Sequence, residues 1–268
     1  MPIIRAEKIE IAYQTTSVIR EITLSIECGT MISLVGPNGS GKSTLLKALA
    51  GQIRLKGGKA FLDEQEIRHT GSRAIARRLS FLPQAPLVPE GLSVRELVAL
   101  GRFPHLGFTG LRSQEDERAI DHAMEMASVK ELSARPAEQL SGGQRQRVWI
   151  AMTLAQQSDI LFLDEPTTYL DISHQIEVLD LLQHMNRDYR RTVVMVLHDL
   201  NLAARYSDRI IALRDGTIHA DDTPSRVVTP KILEQVFGIQ AEIHIDSATG
   251  RPWFIPGRLL PLRTDKTS

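Results

Sequence analysis

Apolar and polar residues alternate over residues 3–13 and 18–26, placing Ile9 and Ile11, then Ile22, Leu24 and Ile26, on one side of the chain. A period of two predicts half-exposed strands. Met31-Ile32-Ser33-Leu34-Val35 is short and apolar, the pattern of a strand buried on both faces of a parallel sheet. A helix is predicted to open over Ser43–Leu49, and two more over Ser93–Gly101 and Glu115–Val129. The last two are separated by Arg102-Phe103-Pro104-His105-Leu106-Gly107, a connector punctuated by Pro and Gly. Further strands at Ile160–Leu163, Val193–Leu197 and Arg209–Leu213 alternate with helices at 173–188 and 200–207. That order predicts an α/β fold, a mainly parallel sheet with flanking helices and an antiparallel N-terminal β part. Residues 85–140 read as a mostly helical insert between core segments 1–84 and 141–222. Residues 223–268 form a short C-terminal extension, with a helix near 225–237 and a hairpin of Ala241–Asp246 and Pro252–Ile255.

Composition narrows the class. The 268 residues are 42% hydrophobic and 24% charged, ordinary for a folded globular chain and long enough for one domain of this kind. Lys plus Arg and Asp plus Glu both total 32, so no global field draws the chain to nucleic acid or anionic lipid. The N-terminus lacks the layout of a signal peptide, and the longest apolar runs are too short to cross a bilayer. The single cysteine, Cys28, cannot form an internal disulfide and is expected to be buried and inert. A cytosolic chain is expected, unless a partner holds it at a membrane.

Three motifs carry the chemistry. Gly36-Pro37-Asn38-Gly39-Ser40-Gly41-Lys42-Ser43-Thr44 follows the apolar strand at once and opens a helix, the context a phosphate-binding loop needs. Its glycines let backbone N–H groups converge on phosphates; Lys42 suits the β- and γ-phosphates of ATP and the Ser43 hydroxyl suits Mg²⁺. Asp164 and Glu165 end the strand Ile160–Leu163; Asp164 suits a Mg²⁺ contact and Glu165 the orientation or deprotonation of an attacking water. Leu140-Ser141-Gly142-Gly143-Gln144 precedes a long helix and stands shortly before that acidic pair, offering a second helix N-terminus to an anion.

In this order and spacing, the three motifs resemble those of the ATP-binding-cassette (ABC) ATPases over roughly residues 3–220. The resemblance implies a P-loop ATPase core with a helical subdomain. It implies that Ser141, Gly142, Gly143 and Gln144 meet ATP held by a second copy of the chain, so that two ATP molecules are sandwiched in a head-to-tail dimer. Tyr13 matches the aromatic that stacks on adenine. Gln84 matches the glutamine that senses Mg²⁺ and the attacking water and hinges the insert. Asp171, in Leu170-Asp171, matches the loop that touches the opposite subunit, and His198 the switch histidine on the γ-phosphate. None of these positions departs from the family pattern.

The chain has neither fused membrane spans nor a second cassette. The resemblance therefore implies a separate cassette working with membrane-spanning permease subunits and, indirectly, an external substrate-binding protein, not with nucleic acid. Pro166–Gln175, His198-Asp199-Leu200-Asn201 and Gly101–His105 are similar to the ATPases of ferric-siderophore uptake systems. Haem or cobalamin import, export, and a cytosolic non-transport ATPase stay open as alternatives. Other features read as structural: Arg73, Arg77 and Arg78 as a solvated helix face, Arg145 and Arg147 as helix charges, Met124 and Met126 as helix packing.

Overall fold

The computed structural model describes residues 2–14, 16–84, 86, 89–107 and 110–260. Among them, β1 (Pro2–Tyr13), β2 (Thr16–Glu27), β4 (Gly57–Leu62) and β5 (Gln65–Glu66) form an antiparallel sheet in the order β2-β1-β4-β5. A second sheet joins β3 (Met31–Val35), β6 (Leu79–Leu82), β7 (Ile160–Asp164), β8 (Thr192–Val196), β9 (Arg209–Arg214) and β10 (Thr217–Asp222). Its order is β10-β9-β3-β8-β7-β6, all parallel except the β10 edge. The expected fold class is borne out. Every residue of β3, β7 and β8 is buried, which explains why these strands read as continuous apolar runs.

The helices are α1 (Lys42–Leu49), α2 (Ser72–Arg78), α3 (Val94–Ala99), α4 (Gln114–Met126), α5 (Gly142–Ala155), α6 (Ile172–Tyr189) and α7 (Leu200–Tyr206). The pleat sends alternate residues of β8 into two cores. Val193 and Met195 join Val98, Met124, Ile150 and Leu179 on one face, while Val194 and Val196 join Leu34, Leu46 and the β1–β2 isoleucines on the other. Each such side chain, fully buried, stabilises the fold by about 1.5–3 kcal/mol.

Both insert helices begin on capping boxes, Ser93 with Glu96 and Ser113 with Asp116, which satisfy otherwise orphaned N–H groups. Beyond their shared apolar core, the helices are tied to α5 through one buried polar residue. Arg102, 3% exposed, donates from Nε to Asp116 (2.8 Å) and from Nη1 to the Ala155 carbonyl and the Gln157 side chain (2.8 Å each). At Gly101 an added Cβ would stand 2.1 Å from the Met152 carbonyl oxygen, so only glycine lets the chain lie this close to α5.

Arg73 and Arg77 are exposed, as expected of a solvated helix face, and both also donate from Nε to the Pro104 carbonyl, at 3.0 and 2.9 Å, because the connector after α3 folds back over α2. Arg78 pairs with Asp63 and Asp159. Two expectations need correction. Cys28 is exposed, not buried, since the tight β2–β3 turn with left-handed Gly29 (φ 72°) aims it outward. The helix near 225–237 is broken into Pro224–Val227, Pro230–Ile232 and a π-type turn over Leu233–Phe237; Pro230 has no N–H with which to continue the first piece. The hairpin is present as β11 (Ile239–Ile245) and β12 (Pro252–Leu259), with β12 against α7. The expected limits at residues 1, 85 and 268 lie outside the described residues. No helix of the described residues is long and apolar enough to cross a membrane.

Candidate nucleotide site

The loop after β3 is shaped by Gly36 (φ 147°), where a Cβ would meet the Leu213 carbonyl oxygen at 2.1 Å and Ser40 Oγ at 2.9 Å. Pro37 follows, and its carbonyl accepts the Ser40 N–H at 3.2 Å. Lys42 is 5% exposed, and its Nζ donates to the Gly36 and Pro37 carbonyls at 2.9 Å each. Burial lowers the Lys42 pKa, opposed by the nearby charges of Glu165 and Asp164. Gly41 stands at the N-cap of α1, whose first-turn N–H groups have no intrahelical acceptor. The buried Ser40 hydroxyl has no partner among the described residues. A basic side chain, convergent N–H groups and an unpaired hydroxyl suit a polyphosphate.

Asp164 is 1% exposed at the end of β7, and Ser43 Oγ donates to its Oδ1 at 2.6 Å. Burial raises the Asp164 pKa, against the Ser43 hydrogen bond and the Lys47 charge. Glu165 follows with a left-handed backbone (φ 56°) and 9% exposure. Its Oε2 accepts from Gln84 Nε2 at 2.6 Å and from Thr168 Oγ1 at 2.9 Å, and its Oε1 lies 2.7 Å from His198 Nε2. Burial pushes the Glu165 carboxyl up, but the bonds from His198 and Thr168, the His198 charge and the Gln84 bond outweigh it and hold it below its usual range. Gln84 follows β6, Thr168 follows β7 and His198 follows β8. These are neighbouring parallel strands, so their carboxyl ends open on one edge, where open α/β sheets bind ligands.

The structure thus brings Asn38, Gly39, Gly41, Lys42, Ser43, Thr44, Gln84, Glu165 and His198 around one open cleft of about 600 Å³. Val18, Thr168 and Tyr169 line it as well. Thr168 and Tyr169 stood inside the motif run Pro166–Gln175 without a role, and only the turn after β7 shows where they face. Other predicted residues lie elsewhere. Tyr13 is 49% exposed at the turn end of the β1–β2 hairpin, paired with Thr16. Ser141 caps α5 reciprocally with Gln144, at 3.3 and 3.2 Å, with Gly142 and Gly143 as the first residues of that helix. Asp171 caps α6, accepting from His174 N (2.9 Å), Ser173 Oγ (2.8 Å) and the His174 ring. The His174 N–H first, then Ser173 and the ring, bring its pKa down to about 2. None of these residues lines the cleft around Lys42.

No set of three or more His, Cys, Asp or Glu side chains suited to a metal occurs among the described residues. The Ser43–Asp164 pair fits Mg²⁺ instead, which takes one or two protein ligands and completes its octahedron with phosphate oxygens and water.

A phosphate loop, an acidic strand end beside it and a parallel sheet flanked by helices define a P-loop ATPase cassette. The sequence model of the ABC transporter family matches residues 19–168, and the chain belongs to that family. It is 47% identical over 246 residues to the iron(3+)-hydroxamate import ATP-binding protein FhuC of Bacillus subtilis (strain 168), covering 92% of this chain and 91% of that one. Its fold is similar to that of a metal-chelate type ABC transporter in an inward-facing conformation, with TM-score 0.83 and 25% identity over 96% of this chain and 98% of that one. It is also similar to the dimeric structure of MJ0796, a bacterial ABC transporter cassette, with TM-score 0.74 and 28% identity over 82% and 98%. The chain is an ATP-binding ATPase subunit of an ABC transporter.

Proposed function

We propose that this subunit energises uptake of a ferric siderophore or related iron chelate through a separate membrane permease. The single observation that carries the catalytic reading is the Glu165 carboxylate, gathered by Gln84, Thr168 and His198 beside the Lys42 loop. The cargo class is supported by the likeness to the hydroxamate-import protein and the metal-chelate transporter.

In this reading the core spans residues 1–84 and 141–222, the helical insert 85–140 and the extension 223–268. Lys42 and the loop N–H groups hold the triphosphate, and Tyr13 stacks on the adenine. Ser43 and Asp164 would hold Mg²⁺, which supplies charge neutralisation to the β- and γ-phosphates when bound. Glu165 takes the proton of the attacking water, Gln84 orients that water, and His198 contacts the γ-phosphate. Ser141 to Gln144 and Asp171, standing outside their own cleft, complete the site of a second copy. Closure of that dimer draws the two inserts together.

The insert carries a groove for the permease. Leu92, Leu100, Phe103 and Leu106 line it beside Glu96, and Phe103 is 73% exposed. An exposed aromatic in an apolar groove suits a short amphipathic helix. The chain then sits peripherally on the cytoplasmic face of the membrane, and an external binding protein delivers the chelate to the permease. No nucleic acid takes part.

The test is uptake of radiolabelled ferric siderophore by cells lacking this chain, complemented with wild type or Glu165→Gln. Rescue by wild type alone supports the reading. Unchanged uptake across several siderophores overturns the cargo and leaves the ATPase.

A further inference from the structure

One residue of the run His198-Asp199-Leu200-Asn201 faces away from the nucleotide cleft, toward the C-terminal hairpin. Asn201 stands in the first turn of α7, three residues beyond His198. Its side-chain amide makes a reciprocal pair with the backbone of Phe254 in β12. Nδ2 donates to the Phe254 carbonyl at 3.0 Å, and Oδ1 accepts from the Phe254 N–H at 2.9 Å. Two antiparallel bonds from one planar amide fix both distance and orientation.

The same hairpin holds the other end of the helix. Arg251, just before β12, donates from Nη1 to the carbonyls of Ala204 (2.8 Å) and Ser207, groups the helix end leaves unpaired. Phe254 itself packs against the main core. Inside the first turn, Asp199 accepts from Asn201 N at 2.8 Å and Leu202 N at 3.0 Å, so Asp199 and Asn201 move as one unit. His198 is the next residue back. Its side chain is 45% exposed, so core packing does not clamp the ring, and its reach to Glu165 Oε1 depends on where the backbone places it.

We propose that Asn201 is a positioning residue: by locking α7 to Phe254, it sets the approach of His198 to Glu165 and makes the C-terminal hairpin a brace for the cleft. The proposal rests on the roles given above to His198 and Glu165.

The experiment is a double-mutant cycle on the full-length chain, reading kcat and KM for ATP hydrolysis at one protein concentration. Asn201→Ala is expected to lower kcat by about tenfold, the scale expected for a misplaced reacting group, with KM changed less than about twofold. In a His198→Ala background the same substitution is expected to change kcat by less than about twofold, because coupled residues are not additive. Asn201→Asp, isosteric but presenting an acceptor to the Phe254 carbonyl, carries the same test if the alanine variant does not fold. An equal fall in both backgrounds means a general structural role and overturns the proposal. So does an unchanged kcat for both Asn201 variants while His198→Ala alone is impaired. If His198→Ala itself leaves kcat unchanged, the role of His198 falls and the brace falls with it.

Discussion

Replacing Glu165 by Gln separates the chemistry of this carboxylate from its contribution to folding. The carboxylate receives two donors on Oε2, from Gln84 at 2.6 Å and Thr168 at 2.9 Å, and one ring nitrogen on Oε1, from His198 at 2.7 Å. A glutamine can keep its carbonyl toward Gln84 and Thr168 and turn its NH₂ toward His198. The imidazole then needs only to carry its proton on Nδ1 and accept at Nε2. No buried group loses a partner, so stability should change by no more than about 1 kcal/mol, or about 4 °C in Tm. Hydrolysis is a different matter, because an amide cannot take a proton from water. Loss of a positioned general base lowers the rate by about 10²–10⁴, equivalent to about 2.7–5.4 kcal/mol in the barrier. Phosphate release at saturating ATP, with a thermal melt of the same preparation and filter-bound ATP as the affinity control, reads all three quantities. Hydrolysis within a few-fold of wild type would refute the assignment of the base. A melt many degrees lower would refute the histidine exchange, since it would mean that the carboxylate is needed for folding.

Two further outcomes follow from the packing. Arg102→Met leaves Asp116, 6% exposed, without its buried cation, a loss of about 3–5 kcal/mol, while Arg102→Met with Asp116→Asn, which removes the charge and keeps an acceptor for the Ser113 N–H, should recover much of it in a urea titration. The same carboxyl gives a pH signature: burial pushes it up, but Ser113 and Arg102 hold it at about 2 against an ordinary value of 3.8. Its stabilisation is therefore fully present above the ordinary value and is lost as pH falls toward 2, a contribution that should be absent in the double variant, which has no carboxyl there. Gly36→Ala drives a Cβ against the Leu213 carbonyl oxygen at 2.1 Å, and that backbone atom belongs to a central strand and cannot give way. The loop must shift instead, so filter binding should show at least about tenfold weaker ATP, equivalent to about 1.4 kcal/mol, with the rest of the fold intact by circular dichroism.

The parts of this molecule that were readable in advance are those whose meaning is local. Gly36–Thr44 carries its own turn geometry, and β3, β7 and β8 announce their burial by being apolar at four of five positions each. Ser93 and Ser113 mark helix starts through acids three residues on. Where the partner is distant, the sequence is silent. Nothing near Arg73 and Arg77 indicates that the Pro104 carbonyl will fold over them. Thr168 and Asn201 look like any polar residues until the turn after β7 and the strand β12 arrive beside them. Cys28 was misjudged because burial tendency is a statement about residue type, whereas a tight turn decides by direction. The helix near 225–237 is interrupted because Pro230 imposes a purely backbone constraint.

Glu165 is touched by three segments that enter from three different strand ends. A displacement of any one of them removes a hydrogen bond from the same two oxygens and leaves the others in place. The carboxylate therefore performs a logical conjunction: its proton affinity and aim have their full setting only when the Gln84 segment, the Thr168 turn and the His198 segment are all in place. A displacement of the Gln84 segment alone, at the edge of the insert, would reset the carboxylate while leaving the other two contacts in place.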